Sequence, residues 1–191
     1  MHTVLIYSGG LDSTTLLYQL LDAGHQVQAL SINYGQRHRH ELTCARALCA
    51  GHQLPWQLAD LSALTPLLTG SSQTDLTVPV PHGHYTDASM KQAVVPNRNM
   101  LLLSVALAWA ISQHADAVAY AAHAGDHAIY PDCRPVFVEA MQHAAHVCDW
   151  HPVQLLAPYL QMTKADIVQR GAARSWQDSP DAPLIPLRRR T

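Results

Sequence analysis

Residues 3–7 read TVLIY, a short apolar and β-branched run, and the pair Gly9-Gly10 follows almost at once. Such a run suits a strand covered on both faces of a parallel sheet. Beyond the glycines, Leu16, Leu17, Leu20 and Leu21 recur at helical spacing, and Gly24 ends the helix predicted over 13–23. A buried strand, a glycine turn and an amphipathic helix in this order commit the chain to a βα unit.

The same alternation continues. Strands are predicted over 27–32 and 56–58, with a turn at Asn33-Tyr34-Gly35 and a helix over 40–50 between them. From 60 to 96 the periodicity is lost among Thr65-Pro66, Gly70-Ser71-Ser72, Pro79, Pro81 and Gly83. A loop of this length is usually functional or disordered, and it is read here as a wall or a lid. A strongly apolar helix, expected to be buried, covers 98–113, and a strand covers 117–122. A polar loop at 123–134 leads to a helix over 135–147 with Pro135 in its first turn. A last strand at 153–156 precedes a helix capped by Thr163, running to Arg170 and ended by Gly171. Repeated β-loop-α units imply an α/β fold, a doubly wound parallel sheet with flanking helices. One domain is expected over 1–171, and 172–191, ending Arg188-Arg189-Arg190, is read as an irregular tail.

The 191 residues suit one domain with a sizeable core, and a formal charge of −2 argues against a protein built to grip nucleic-acid backbone or anionic lipid. No apolar run reaches the ~18 residues that span a bilayer. The start, MHTVLIYSGG, has no basic n-region, so a cytoplasmic protein is expected. Cys44, Cys49, Cys133 and Cys148 form no CxxC pair and are read as free thiols in a reducing compartment. The 13 histidines are scattered, and surface or loop polarity explains them better than a metal cluster.

The chemistry is concentrated in Ser8-Gly9-Gly10-Leu11-Asp12-Ser13-Thr14-Thr15, between the first strand and the first helix. Two glycines allow a sharp turn and close approach to a ligand. The amides that follow open a helix, where orphan N–H groups and the helix dipole favour an anion. Ser8, Ser13 and Thr14 add hydroxyls, and Asp12 can orient the loop or meet a magnesium ion. A plain helix cap by Asp12 or Ser13 is the simpler alternative, but a cap needs neither two glycines nor three hydroxyls. The Gly-Lys-Ser/Thr ending of a Walker loop is missing.

The loop matches the SGGxDS element of the N-type ATP pyrophosphatases. Four further segments, YGQRHRHE at 34–41, VPNRNM at 95–100, HAGDHAIYPDCR at 123–134 and MTKADIV at 162–168, join GHYTDASMK at 83–91 in a closer likeness. Together they resemble the 7-cyano-7-deazaguanine synthase family of the queuosine pathway, over about 3–171 and in the expected order. The resemblance implies an adenine nucleotide alpha hydrolase-like, Rossmann-like fold. It also implies an ATP-dependent carbon–nitrogen ligase. A 7-carboxy-7-deazaguanine carboxylate is adenylated, ammonia displaces AMP to give an amide, and a second activation removes water to give the nitrile. ATP and Mg2+ are the implied cofactors. The implied partners are the deazapurine carboxylate and ammonia, with no direct nucleic acid, no membrane and a possible homodimer.

On that resemblance, Lys164, Asp12 and Ser13 are the catalytic candidates. Tyr7, Ser8, Gly9, Gly10, Leu11, Asp12, Ser13, Thr14, Thr15, Leu16 and Leu17 are the nucleotide-binding ones. Arg37, His38, Arg98, Asn99, Asp126, Tyr130, Asp132 and Arg134 are assigned to the substrate. Arginine's planar fork suits a carboxylate or phosphate. Asp126 and Asp132 either read the purine-like edge or brace Arg134 and the turn at Pro131, and Tyr130 or Tyr85 can stack on the ring. His38 or His127 is placed either as a proton shuttle or in loop hydrogen bonding. Cys133 is read as lining or packing rather than as a thioester nucleophile. The family usually ends in four zinc-binding cysteines, whereas no cysteine follows Cys148 here. Two other readings therefore stay open: an enzyme that passes a related adenylate to another amine, and a non-catalytic nucleotide-binding remnant.

Overall fold

The computed structural model describes residues 1–36, 40–74 and 94–173. Five strands, β1 (His2–Ile6), β2 (Gln26–Asn33), β3 (Trp56–Asp60), β4 (Ala117–Ala119) and β5 (Gln154–Leu156), form one sheet in the order β3-β2-β1-β4-β5. Every pairing is parallel, with Thr3 level with both Val27 and Ala117. The chain moves outward from β1 through β2 to β3, then crosses back to place β4 on the other side of β1. The order reverses between β1 and β4, which is where ligands of such sheets sit, beyond the strands' carboxyl ends.

Among the described residues five α-helices cover the two faces: α1 (Leu11–Asp22), α2 (His40–Gly51), α3 (Arg98–Ser112), α4 (Pro135–Val147) and α5 (Lys164–Ala172). Alternate residues of each strand point to opposite faces. Leu5, Val27 and Ala29 join Leu16, Leu17, Leu20, Leu48 and Ile167 of α1, α2 and α5 on one side. Val4, Leu30, Ile32 and Val118 join Leu103, Leu107, Val138 and Met141 of α3 and α4 on the other. The doubly wound arrangement expected from the alternating pattern is the one observed.

Four local expectations need correction. The strand predicted over 117–122 pairs only as Ala117–Ala119, the stretch in register with both β1 and β5. Gly171 does not end α5; it lies buried inside the helix, which runs to Ala172. Helix α3 is not buried all round: Leu103, Ala106, Leu107 and Ala110 face the core, while Met100, Ser104 and Ala108 are exposed. The excursion after β3 is partly regular, with a 3-10 helix at Ser62–Leu67 and hydroxyl bonds from Thr65 to the Ser62 carbonyl and from Thr74 to the Leu68 carbonyl. Residues 75–93, with Tyr85 and the GHYTDASMK segment, lie outside the described residues, as does the tail from 174.

Helix ends aim the functional loops. Thr163 caps α5 through a reciprocal box: its hydroxyl accepts the Asp166 amide at 3.2 Å, and the Asp166 carboxylate accepts the Thr163 amide at 2.7 Å. The Thr163 hydrogen bonds hold the Asp166 carboxyl below its ordinary range. Helix α3 is capped from a distance, with the Asn99 amide donating to Asp132 Oδ2 at 2.9 Å. No helix among the described residues is long and apolar enough to cross a membrane.

Candidate active site

The loop between β1 and α1 turns at Gly9, whose φ of +80° only glycine adopts without strain. A side chain there would also collide with the Glu41 carbonyl of α2. Gly10 is the N-cap of α1 in extended conformation and has no side chain to cap it, so neither Asp12 nor Ser13 is the N-cap. The hydroxyls of Ser8 and Ser13 lie 3.0 Å apart, and each also bonds Gly10: its amide donates to Ser8 at 3.2 Å, and its carbonyl accepts from Ser13 at 3.1 Å. Beneath the loop the Tyr7 hydroxyl meets Thr14 Oγ1 at 3.2 Å, and Thr15 donates to the Leu11 carbonyl at 3.0 Å. Burial pushes the Tyr7 phenol up to about 12, so it stays protonated. Leu16 and Leu17 are wholly buried. Tyr7, Thr14, Thr15, Leu16 and Leu17 thus form the floor of the loop, while Ser8, Gly9, Gly10, Leu11 and Asp12 keep accessible surface.

Three loops meet in front of α1. Asp12, in its first turn, forms an ion pair with Lys164, the first residue of α5. From the loop after β4, His123 Nε2 lies 3.8 Å from Asp12 Oδ2 and 3.5 Å from Asp126 Oδ2. Burial, reinforced by the Asp12 charge, raises the Asp126 pKa, while His123, Arg98 and Lys164 pull it back. Asp12 Oδ1 is buried and has no hydrogen-bond partner among the described residues.

A second cluster lies behind this one. The Arg98 guanidinium sits over the Tyr130 ring, 5.3 Å from its centroid. Burial opposes the Arg98 charge, yet Tyr34, Cys133, Asp132 and Tyr130 together raise its pKa. Asn99 Nδ2 donates to the Asp132 carbonyl at 3.0 Å and to Cys133 Sγ at 3.1 Å, so Asn99 ties α3 to the 3-10 turn Pro131–Cys133. Asp132 Oδ1 and the Tyr120 hydroxyl are buried without a hydrogen-bond partner among the described residues. Burial, with Asp126 and Asp132 nearby, pushes the Cys133 thiol up to about 12. Arg134 is exposed and donates from Nε to the His127 carbonyl at 2.9 Å; no ion pair joins it to Asp126 or Asp132. Arg37 and His38 lie outside the described residues.

Two contributors carry no role in the sequence reading. Glu41 places its carbonyl against Gly9 and its carboxylate near Gly10. His123 stands between two carboxylates that only the topology brings together. Its signals in the sequence are the polar loop and its place at the head of the HAGDHAIYPDCR segment.

A magnesium ion fits this donor set: Asp12 offers a buried, unpartnered oxygen, and Mg2+ commonly takes one or two carboxylates together with substrate phosphates. A zinc centre does not fit. The four cysteines are free thiols; Cys49 and Cys133 belong to cores on opposite faces of the sheet, and Cys44 and Cys148 are exposed. Among the described residues no group of three or more histidine, cysteine or acidic side chains is placed to hold a metal.

Comparison with known proteins agrees with this architecture. The family model described as "Queuosine biosynthesis protein QueC" matches residues 2–178. The 7-cyano-7-deazaguanine synthase of Hahella chejuensis is 54% identical over 170 residues, covering 89% of this chain and 73% of that protein. The protein of the same name from Methanoregula boonei is 53% identical over 171 residues, 90% of this chain and 78% of its own. A solved 4-thiouridine synthetase–RNA complex with bound ATP superposes on 90% of this chain and 40% of its own, with a TM-score of 0.51 at 19% identity, a likeness of fold alone.

Proposed function

This chain belongs to the QueC family of queuosine biosynthesis proteins, and from that premise we propose how it makes 7-cyano-7-deazaguanine. The relatives that carry that synthase name share about half of its residues. The reading adopted is an AMP- and pyrophosphate-forming ligase acting on 7-carboxy-7-deazaguanine, ATP and ammonia.

The observation that carries it is the α1 entrance. Gly9 bends the backbone, Gly10 leaves the first-turn amides without a side-chain cap, and those amides sit at the sheet's switch point. In this reading they hold the β- and γ-phosphates of ATP. The substrate carboxylate attacks the α-phosphorus, the bond to the bridging oxygen breaks, and pyrophosphate leaves. Asp12 would hold the magnesium ion, which supplies charge neutralisation for the phosphates. Lys164, next to Asp12, gives a positive charge that follows the negative charge moving onto the departing pyrophosphate. Arg98, half-buried beside Tyr130, is the donor for the substrate's acid group, and Asp132 Oδ1 is an acceptor for the N–H edge of its ring.

Ammonia then attacks the acyl carbon, AMP leaves, and the proton shed by nitrogen passes to solvent. The amide oxygen is activated in the same way by a second ATP. Loss of AMP and two N–H protons gives the nitrile. Burial holds the Cys133 thiol near 12, which weighs against a thioester; in this reading ammonia attacks the adenylate directly and Cys133 lines the site.

Incubation with 7-carboxy-7-deazaguanine, ATP and ammonium, read by mass spectrometry, tests this. AMP together with the nitrile is the expected result. AMP with a different adduct, once other amines are supplied, would assign the chain to another acceptor, and ADP in place of AMP would overturn the reading.

A further inference from the structure

We propose that His123 is a positioning residue, locked as its Nε2–H tautomer, which holds the Asp12 and Asp126 carboxylates in register beside Lys164. The proposal deepens the reading above and rests on it for its kinetic arm only.

The geometry starts from the backbone. His123 is the N-cap of the 3-10 turn Ala124–Asp126, and its Nδ1 accepts the Gly125 amide at 3.1 Å. An amide can donate only to an unprotonated nitrogen, so the ring's hydrogen resides on Nε2. The Nδ1–Cε1 edge of the ring lies close to Gly125: a Cβ there would meet His123 Cε1 at 3.0 Å and Nδ1 at 3.1 Å. The lock thus has two parts, a hydrogen bond and a close approach that a side chain at position 125 would tighten. The residue is largely buried, with about a tenth of its side chain, 11%, still accessible.

The opposite edge of the ring faces the charges. Nε2 is 3.5 Å from Asp126 Oδ2 and 3.8 Å from Asp12 Oδ2. Both are longer than a direct hydrogen bond, so the N–H acts on the two carboxylates as a shared dipole. Asp12 belongs to the loop after β1 and Asp126 to the loop after β4, and no other described side chain touches both carboxylates. Without this N–H, Asp12 and Asp126 would face each other with the more distant Arg98 and with Lys164 as the balancing charges, and Asp12 would keep only its pairing with Lys164.

The test separates the lock from the bridge. Asn at 123 can still accept the Gly125 amide as a cap but cannot reach the carboxylates. Gln can place an N–H near the position of Nε2. His123→Asn is expected to keep the melting temperature and the ATP KM, and to lower kcat for AMP formation about tenfold. His123→Gln is expected to recover most of that loss. In 15N-labelled protein, the histidine signal that disappears in His123→Asn should report an Nε2–H ring, a readout that needs no substrate. An Nδ1–H ring, or a His123→Asn variant with unchanged kcat, would overturn the proposal. Wild-type protein that forms no AMP would instead defeat the functional reading and leave the tautomer result standing.

Discussion

Lys164 and Asp12 are 152 positions apart in the chain, yet their side chains form a direct ion pair where α1 and α5 begin. Lys164 is about half exposed, with 53% of its side chain open, so the pair adds little to folding, about 1 kcal/mol at most. Its value lies in placing a cation beside the α1 entrance. Lys164→Ala is therefore expected to leave the urea midpoint nearly unchanged and to lower kcat for AMP formation about 100-fold. Lys164→Arg should recover part of it. A large loss of stability with intact kcat would show the pair to be structural.

Gly9 and Gly24 have similar backbone angles, φ +80° and +77°, but different surroundings. At Gly24 nothing lies within 4 Å of an added Cβ, whereas at Gly9 a Cβ would strike the Glu41 carbonyl. Gly24→Ala should cost about 1 kcal/mol from backbone strain alone and leave nucleotide binding intact. Gly9→Ala should cost more than that, about 3 kcal/mol, and abolish the ATP-induced rise in melting temperature. Equal effects on ATP binding would mean the loop does not hold the nucleotide.

The two glycines also show what the sequence makes legible. A strand, a turn and a helix with leucines at helical spacing are local signals, and the observed β1, α1 and capped α5 follow them closely. The Thr163 cap was readable because cap chemistry lies within four residues. Two features were not readable, for one reason. The extent of β4 depends on its pairing with β1 and β5, and the cap on α3 comes from Asp132, 33 residues away. Both depend on partners chosen by topology. The His123 contacts are of the same kind, since Asp12 is brought to it only by the pairing of β1 with β4.

The four thiols divide by burial. Cys44 and Cys148 are exposed, while Cys49 and Cys133 are buried, with pKa values pushed up to about 11 and about 12. A thiol near 12 holds roughly one part in 10^4 as thiolate at pH 8, too little for rapid alkylation. Brief iodoacetamide treatment of native protein at pH 8 should label Cys44 and Cys148 only, and urea should release the other two, as read by peptide mass spectrometry. Fast labelling of Cys133 in the native state would restore it as a candidate nucleophile.

Asp126 links the chemistry of the site to its stability. Its pKa is raised, chiefly by burial and further by the Asp12 charge, and His123, Arg98 and Lys164 offset only part of this. The folded state therefore binds the Asp126 proton more tightly than the unfolded chain does. The sign follows from linkage: stability falls as pH rises from the unfolded carboxylate value, about 3.9, through the raised folded value, and stays lower above it. Ionising this carboxylate is therefore a cost to folding. Asp126→Asn removes that charge while keeping the shape. It should melt higher than wild type at pH 7, with the gap closing below about pH 4, where both side chains are neutral. AMP formation should fall in the same variant. A melting curve unchanged at pH 7, or a gap that widens as the solution is acidified, would show that Asp126 is stabilised as the anion and that the buried cluster carries enough positive charge to neutralise it.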